Sequence, residues 1–231
     1  MSARGRTWLA VAPPALPRPV ATAIVGVGSF LLFAALAVAI GHGSVPGIDS
    51  ITVPELGHSG RSATIRRFFQ ILGLPGGAAG TLLIIAVVAI ALVAARRVGS
   101  AVFFGVAVAC SAANPLLKDA FDRHGPPHVH WIPGETGFFP SGHAVGSMAV
   151  AAALVALAWR TRFRLAALAA AVVFVIAVGL SAVLTGDHWP SDVVGGWSLS
   201  LGWVACVSSA TAVWAARRRA AAATPASIPA P

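Results

Sequence analysis

The chain has 231 residues, of which 57% are hydrophobic and 10% charged, with a formal net charge of +9. A soluble domain covers its surface with about 25% charged residues, and a disordered chain is poor in hydrophobic ones, so both classes are excluded. The basic residues stand in short clusters between long apolar runs, with no continuous basic face, which also excludes nucleic-acid binding and leaves a polytopic membrane protein.

Six segments carry the roughly 20 apolar residues that cross about 30 Å of hydrocarbon. The first, 20–40, follows Arg4, Arg6 and Arg18. Its apolar run is longer than that of a secretory signal, and five more spans follow, so it is expected to be retained. Residues 1–19 are then a cytoplasmic N-terminal segment. Residues 62–72 read as a short amphipathic helix, with Ile65, Phe68, Phe69 and Leu72 on one face and Arg66, Arg67 and Gln70 off it. Such a helix rests in the headgroup layer and can serve as a gate that steadies an anionic lipid; the alternative is a solvated loop cover. Spans 76–95 and 98–117 are divided by Arg96 and Arg97; spans 142–159 and 165–185 are divided by Arg160, Arg162 and Arg164. The last span, 193–216, completes a membrane domain over 20–216. Residues 217–231 are expected to form a disordered cytoplasmic tail, Ala/Pro-rich after Arg219. Cys110 and Cys206 lie in apolar stretches and imply neither a metal motif nor a disulfide framework.

With the N- and C-termini in the cytoplasm, eleven of the sixteen Lys and Arg residues fall inside, as orientation by basic residues requires. All seven acids and all seven histidines then fall at the extracytoplasmic face. A purely structural bundle has no reason to gather every acid and histidine at one face, and these are the groups that acid–base and nucleophilic chemistry uses.

Three segments at that face carry candidate chemistry. The third span ends at Lys118, the one lysine against fifteen arginines. A compact ammonium suits a phosphate, although a lone lysine at a helix end is commonly a snorkelling residue. The fourth span opens with Pro140, Ser141, Gly142 and His143, a helix start whose free amides form an anion site; the alternative is a Ser/Gly cap beside an interfacial histidine. Between spans five and six, His188 and Asp192 are four apart with Pro190 between them at a plausible helix start. That spacing can place them on one helical face. A carboxylate that fixes the imidazole tautomer leaves the other ring nitrogen as a nucleophile or base; the alternative is a capping Asp beside a His-Trp pair.

Together these residues resemble the type-2 phosphatidic acid phosphatase superfamily, integral-membrane lipid phosphatases that share a helical core with the vanadium haloperoxidases. That family reads Lys-x6-Arg-Pro, Pro-Ser-Gly-His and Ser-Arg-x5-His-x3-Asp. Lys118 and Pro126 match the first motif, residues 140–143 the second, and Ser181, His188 and Asp192 the third. The resemblance runs from about residue 49 to 219. It implies His188 as the nucleophile, Asp192 as its orienting carboxylate and His143 as the acid for the leaving group. Lys118 and the amides of Ser141 and Gly142 are implied to hold the phosphate. Two motif arginines are replaced, by Gly125 and Ala182. Losing one such donor costs about 2.7–4 kcal/mol of transition-state stabilisation. Arg123 is the cation expected to take their place, with His124, Arg66 and Arg67 as further candidates.

The expectation is therefore an all-α, six-span membrane bundle with a short extracytoplasmic amphipathic helix. It is a multi-pass cell-membrane protein with its site outside the cytoplasm, and its Arg- and Ala-rich usage points to a GC-rich bacterial genome. The expected reaction is hydrolysis of a lipid phosphate or diphosphate, polyprenyl or phosphatidic in type, through a phosphohistidine. No cofactor is expected, since phosphoryl transfer rests on positioning and charge. No metal is expected either, since His128 and His130 lack further ligands. The expected partners are the lipid substrate and the bilayer. The alternatives are lipid phosphotransfer and a weakened lipid-phosphate-binding protein; a transporter is disfavoured because no span carries a mid-membrane charge.

Overall fold

The structure, a computed structural model, describes residues 19–44, 46–50, 63–126 and 137–223. Regular structure among them is helical throughout. Helix α1 spans Pro19–Gly41, followed by a helical turn at 47–50. Helix α2 (Ala63–Gly73) and a 3-10 turn (Leu74–Gly76) lead into α3 (Ala78–Ala94). Helices α4 (Val98–Val108) and α5 (Cys110–Phe121) are separated at Ala109. The bundle closes with α6 (Gly142–Ala158), α7 (Arg164–Leu184) and α8 (Pro190–Ala223).

The six expected spans fall on helical segments, the third divided between α4 and α5, and four or up to five of the resulting helices or helix pairs are long and apolar enough to cross. Pro19–Gly41, Val98–Phe121, Arg164–Leu184 and Pro190–Ala222 are long and apolar enough to cross a membrane alone. Ala63–Gly76 and Ala78–Ala94 reach that length only together, bent by 42°. Helix α6 has 17 residues, about 26 Å at about 1.5 Å per residue. The expected tail begins later than the sequence suggested: α8 runs through Arg217, Arg218 and Arg219 to Ala223, because alanine is the strongest helix former and supports the extra turns.

Helix α6 is central. Val145, Ala149 and Ala153 on it are fully buried and pack with Phe103, Phe104 and Ala107 of α4 and Val204 of α8. The exposed large side chains instead lie on the outer faces, such as Leu31, Leu83, Ile90 and Val173, as expected where lipid is the solvent. Small residues let the backbones approach. A Cβ on Gly196 of α8 would lie 2.8 Å from Ala144 Cβ, 2.9 Å from Ser141 O and 3.0 Å from Val145 N. Just below, Ser200 Oγ donates to the Val145 carbonyl at 2.9 Å. The α6–α8 pair is thus held by close packing and a buried hydrogen bond together.

Helix α2 departs in part from the expected pattern. Phe69 and Leu72 are half-buried, and the Phe69 carbonyl accepts from Ser181 Oγ of α7 at 2.6 Å. Ile65 and Phe68, expected on the same face, are exposed along with Ile71 and Leu74. The helix leans on α7 along one edge, so its apolar surface divides into an edge turned to protein and an edge turned outward.

Because two of the atoms near Gly196 are backbone, Gly196→Ala should destabilise the detergent-solubilised protein by about 1–3 kcal/mol, the range for overpacking, read as a lower unfolding temperature. Gly105→Ala on α4, with open space around it, should hold or raise that temperature, since alanine favours helix. Equal losses at both positions would contradict this packing.

Candidate active site

The site is built from helix ends. The C-termini of α1, α5 and α7 and the N-termini of α6 and α8 meet at one end of the bundle. Phe139 anchors the approach to α6: fully buried, it stacks on Phe33 of α1 at 5.6 Å and meets Phe121 of α5 edge-on at 5.0 Å. This fixes the segment Pro140–Ser141 that follows, which is also fully buried. Ser141 caps α6, its Oγ accepting from Ala144 N–H at 3.4 Å. Of the two amides expected to face a phosphate, that of Ser141 donates instead to the carbonyl of Asp192 at 3.1 Å. The amides of Gly142 and His143 remain in the first turn, where helix geometry provides no acceptor.

Helix α8 starts with Pro190, whose missing N–H is harmless there. Asp192, two residues on, reaches back so that its Oδ2 accepts Trp189 N–H at 2.9 Å, half of a capping box. His188 just precedes the helix, and its own N–H donates to Ala182 O at 3.1 Å. Its Nδ1 lies 3.5 Å from Asp192 Oδ2. That is longer than an N–H···O hydrogen bond, and Nδ1 is among the buried atoms without a hydrogen-bond partner. Asp192 is engaged by other donors: Trp189 N–H bonds Oδ2 and the Arg123 guanidinium bonds Oδ1. His188 and Asp192 are thus brought together, as their spacing suggested, without a hydrogen bond between them.

The second histidine is adjacent. The rings of His143 and His188 are 6.2 Å apart between centroids, at 67°. Lys118, in the last turn of α5, donates from Nζ to Gly137 O at 2.7 Å. Gly137 has φ +82°, a conformation glycine adopts without strain. Phe138 N–H bonds the Arg123 carbonyl at 3.1 Å, which lays the 137–141 segment beside 122–126. Arg123 sits among acids: Nη2 is 2.7 Å from Asp49 Oδ2, Nη1 is 2.7 Å from Ser191 Oγ, and Nη1 also bonds Asp192 Oδ1. Asp49 and Asp192 are fully buried.

Asp49 is the site residue that sequence reasoning missed. Its Oδ1 accepts Ser191 N–H at 2.9 Å and its Oδ2 accepts Ser191 Oγ–H at 2.6 Å. It therefore places a second carboxylate at the positive end of α8. It lies 142 residues from Ser191 in the chain, and no local pattern ties the two together. The other candidate cations lie elsewhere: Arg66 and Arg67 are exposed on α2, and exposed His124 offers its carbonyl to Trp189 Nε1 at 2.9 Å. His128 and His130 fall outside the described residues. Among the described residues no group of three or more His, Cys, Asp or Glu side chains is placed to hold a metal ion.

The two replaced arginine positions differ physically. A Cβ on Gly125 would lie 2.6 Å from both Cε1 and Cζ of Phe138, and that ring also meets His188 at 5.9 Å. Phe138 therefore fills the space a side chain at 125 would enter. Ala182 is buried between Ala144 and Val193 but opens onto a cavity of about 340 Å³ lined by His143, Ser181, Asp187, Gln70 and Gly77 among others. The cavity lies between the α2–α3 corner and His143, on the side where α2 leans on α7.

The model of the PAP2 superfamily matches residues 98–218, more than half of the chain and the stretch that holds Lys118, His143, His188 and Asp192. The chain belongs to the PAP2 superfamily. Two similar proteins are named lipid A 1-phosphatase. That of Rhizobium johnstonii is 38% identical over 111 residues, covering 43% of this chain and 42% of the relative. That of Rhizobium etli is 35% identical over 124 residues, covering 48% and 49%. The match thus spans less than half the length of either relative. Among solved structures, the transmembrane PAP2-type phosphatidylglycerolphosphate phosphatase from Bacillus subtilis aligns with a TM-score of 0.67 at 23% identity, covering 79% of this chain and 93% of that one. The PAP2 fold is therefore shared well beyond the motif region.

The contrast between the two positions can be measured. Gly125→Arg should lower the unfolding temperature, by about 1–3 kcal/mol for an overpacked site, and Phe138→Ala added to it should recover part of the loss. Ala182→Arg, with a cavity to enter, should be tolerated better. The reverse order would contradict the placement of Phe138.

Proposed function

We propose that this PAP2 member is an integral-membrane lipid phosphatase that works through a phosphohistidine on His188. The observation that carries the reading is the meeting of His188, His143, Asp192, Lys118 and the α6 N-terminus at one end of an apolar bundle. Nε2 of His188 attacks phosphorus, and the P–O bond to the lipid breaks as His143 gives its proton to the departing oxygen. Water then attacks the phosphohistidine, His143 takes up its proton, and phosphate leaves with His188 restored. Asp192 holds and charges the imidazole. Lys118 and the first-turn amide of Gly142 meet the phosphate oxygens, next to the Ser141 cap and the Arg123 guanidinium. Residues 118–192 supply this chemistry without a cofactor.

The two relatives' name supports a lipid-borne phosphate as substrate; polyprenyl and phosphatidic phosphates or diphosphates fit the same chemistry. Phosphotransfer differs only in a lipid hydroxyl replacing water in the second step. One observation favours a weakened, lipid-phosphate-binding form instead: neither motif arginine is present, and Arg123 is paired with two carboxylates. The proposed topology has six crossings with both termini cytoplasmic and the site outside, which leaves the outward edge of α2 in the outer headgroup layer. From there α2 borders the cavity beside His143 and acts as a gate for the lipid.

Phosphate release from a panel of lipid phosphates, with purified protein in detergent, tests the reading. His188→Ala should abolish turnover, because nothing replaces a missing nucleophile. His143→Ala should slow it and allow a phosphoenzyme to accumulate on substrates with good leaving groups. Near-normal turnover in His188→Ala would end the mechanism. Ala182→Arg should raise turnover if the missing guanidinium limits the rate, by up to about a hundredfold for one restored donor.

Topology is tested separately, in intact cells and in a Cys110→Ala, Cys206→Ala background. His42→Cys should react with an impermeant thiol reagent and Arg162→Cys should not. The opposite pattern would place the site in the cytoplasm.

A further inference from the structure

We infer that Asp49 and Arg123 are positioning residues for this reaction, acting on His188 through Asp192, and that Arg123 is not the cation that clamps the phosphate. The inference rests on the hydrolase reading for its kinetic consequence and on geometry alone for its structural one.

The guanidinium is enclosed. Its two terminal nitrogens reach Asp49, Asp192 and Ser191, its Cζ lies over the Trp189 ring, 5.5 Å from the ring centroid, and its side chain is 10% exposed. Both carboxylates it joins are 0% exposed. To turn toward a phosphate it would have to leave two buried negative charges facing each other, an arrangement that desolvation and like-charge repulsion both oppose. A rigid planar fork bridges two carboxylates in one fixed geometry, whereas an ammonium is a compact point charge on a flexible stem that fixes no such orientation.

What the triad controls is the carboxylate beside the nucleophile. Asp192 Oδ1 is held by Arg123, and Oδ2 by Trp189 N–H, 3.5 Å from His188 Nδ1. The orientation of that carboxylate, and how much of its charge is left for the imidazole, therefore depend on Arg123. Asp49 fixes Arg123 in turn, and through Ser191 N–H and Oγ–H it also fixes the first turn of α8. A residue in the turn after α1 thereby sets the geometry of a histidine outside its own helix pair.

The alternative, a phosphate clamp, makes opposite forecasts. If Arg123 held the phosphate, releasing it from Asp49 with Asp49→Asn would lower KM or raise turnover, and Arg123→Lys would mainly raise KM. If the triad positions Asp192, both variants should lower kcat by about 10- to 100-fold, the scale of a misplaced catalytic group, with KM changed less than about threefold. The double variant should then be no worse than the poorer single one, because both changes break one network.

Unfolding temperatures in detergent are measured alongside, and Arg123→Lys, which keeps the charge, guards against loss of fold. A readout that needs no turnover completes the experiment. In protein labelled with 15N-histidine, both variants should shift the His188 imidazole resonances, identified by their loss in His188→Ala, and leave those of His42 in place. A kcat held at the wild-type level in both variants, a pure KM effect, or unmoved His188 resonances would overturn the inference. Wild-type protein that releases no phosphate from any lipid would end the hydrolase reading instead, and the resonances would then decide on the triad alone.

Discussion

The site depends on one constraint: the N-termini of α6 and α8 must lie against each other. Each of these ends carries one of the two histidines, His143 in the first turn of α6 and His188 just ahead of α8. Gly196 removes the side chain that would separate the helices, and Ser141 N–H bonds the Asp192 carbonyl across the seam. With both in place, the imidazoles stand 6.2 Å apart, a gap in which a phosphoryl group can touch both. Proximity of this kind supplies much of a catalyst's advantage, and here it follows from packing far more than from any flexible loop.

Around that seam the electrostatics is economical. Two helix N-termini present positive ends, and two buried carboxylates and one guanidinium are set at the start of α8. Phe138, Ala182, Ala144 and Val193 line positions where the family carries arginine or its neighbours. The result is a region with two guanidinium groups fewer than the motif pattern carries, at Gly125 and Ala182.

Much of this was legible in the sequence, for physical reasons. Long apolar runs broken by arginine pairs have one structural outcome in a bilayer, so the apolar runs fall on helices, of which four, or five with the bent pair counted as one, are long and apolar enough to cross. The histidine–aspartate spacing and the Pro-Ser-Gly-His run are local, and helix geometry converts local spacing into proximity. Three features were not legible. The Asp49 contacts with Arg123 and Ser191 join residues 74 and 142 apart, which only tertiary packing brings together. The filling of the Gly125 position by Phe138 depends on how two short segments lie side by side. The division of α2 into inner and outer edges depends on where α7 stands, because a helix with apolar residues around more than half its circumference does not declare which of them meets protein.

The short length of α6 has a consequence for the end of the bundle away from the site. Its 17 residues extend about 26 Å, less than the roughly 30 Å of hydrocarbon and well short of the 34-residue α8 beside it. Because α6 is enclosed by other helices, the bilayer need not thin to meet it. Because α6 and α8 start together at the site, their difference in length falls at the opposite end, where α8 alone carries Arg217, Arg218 and Arg219 beyond the last turn of α6.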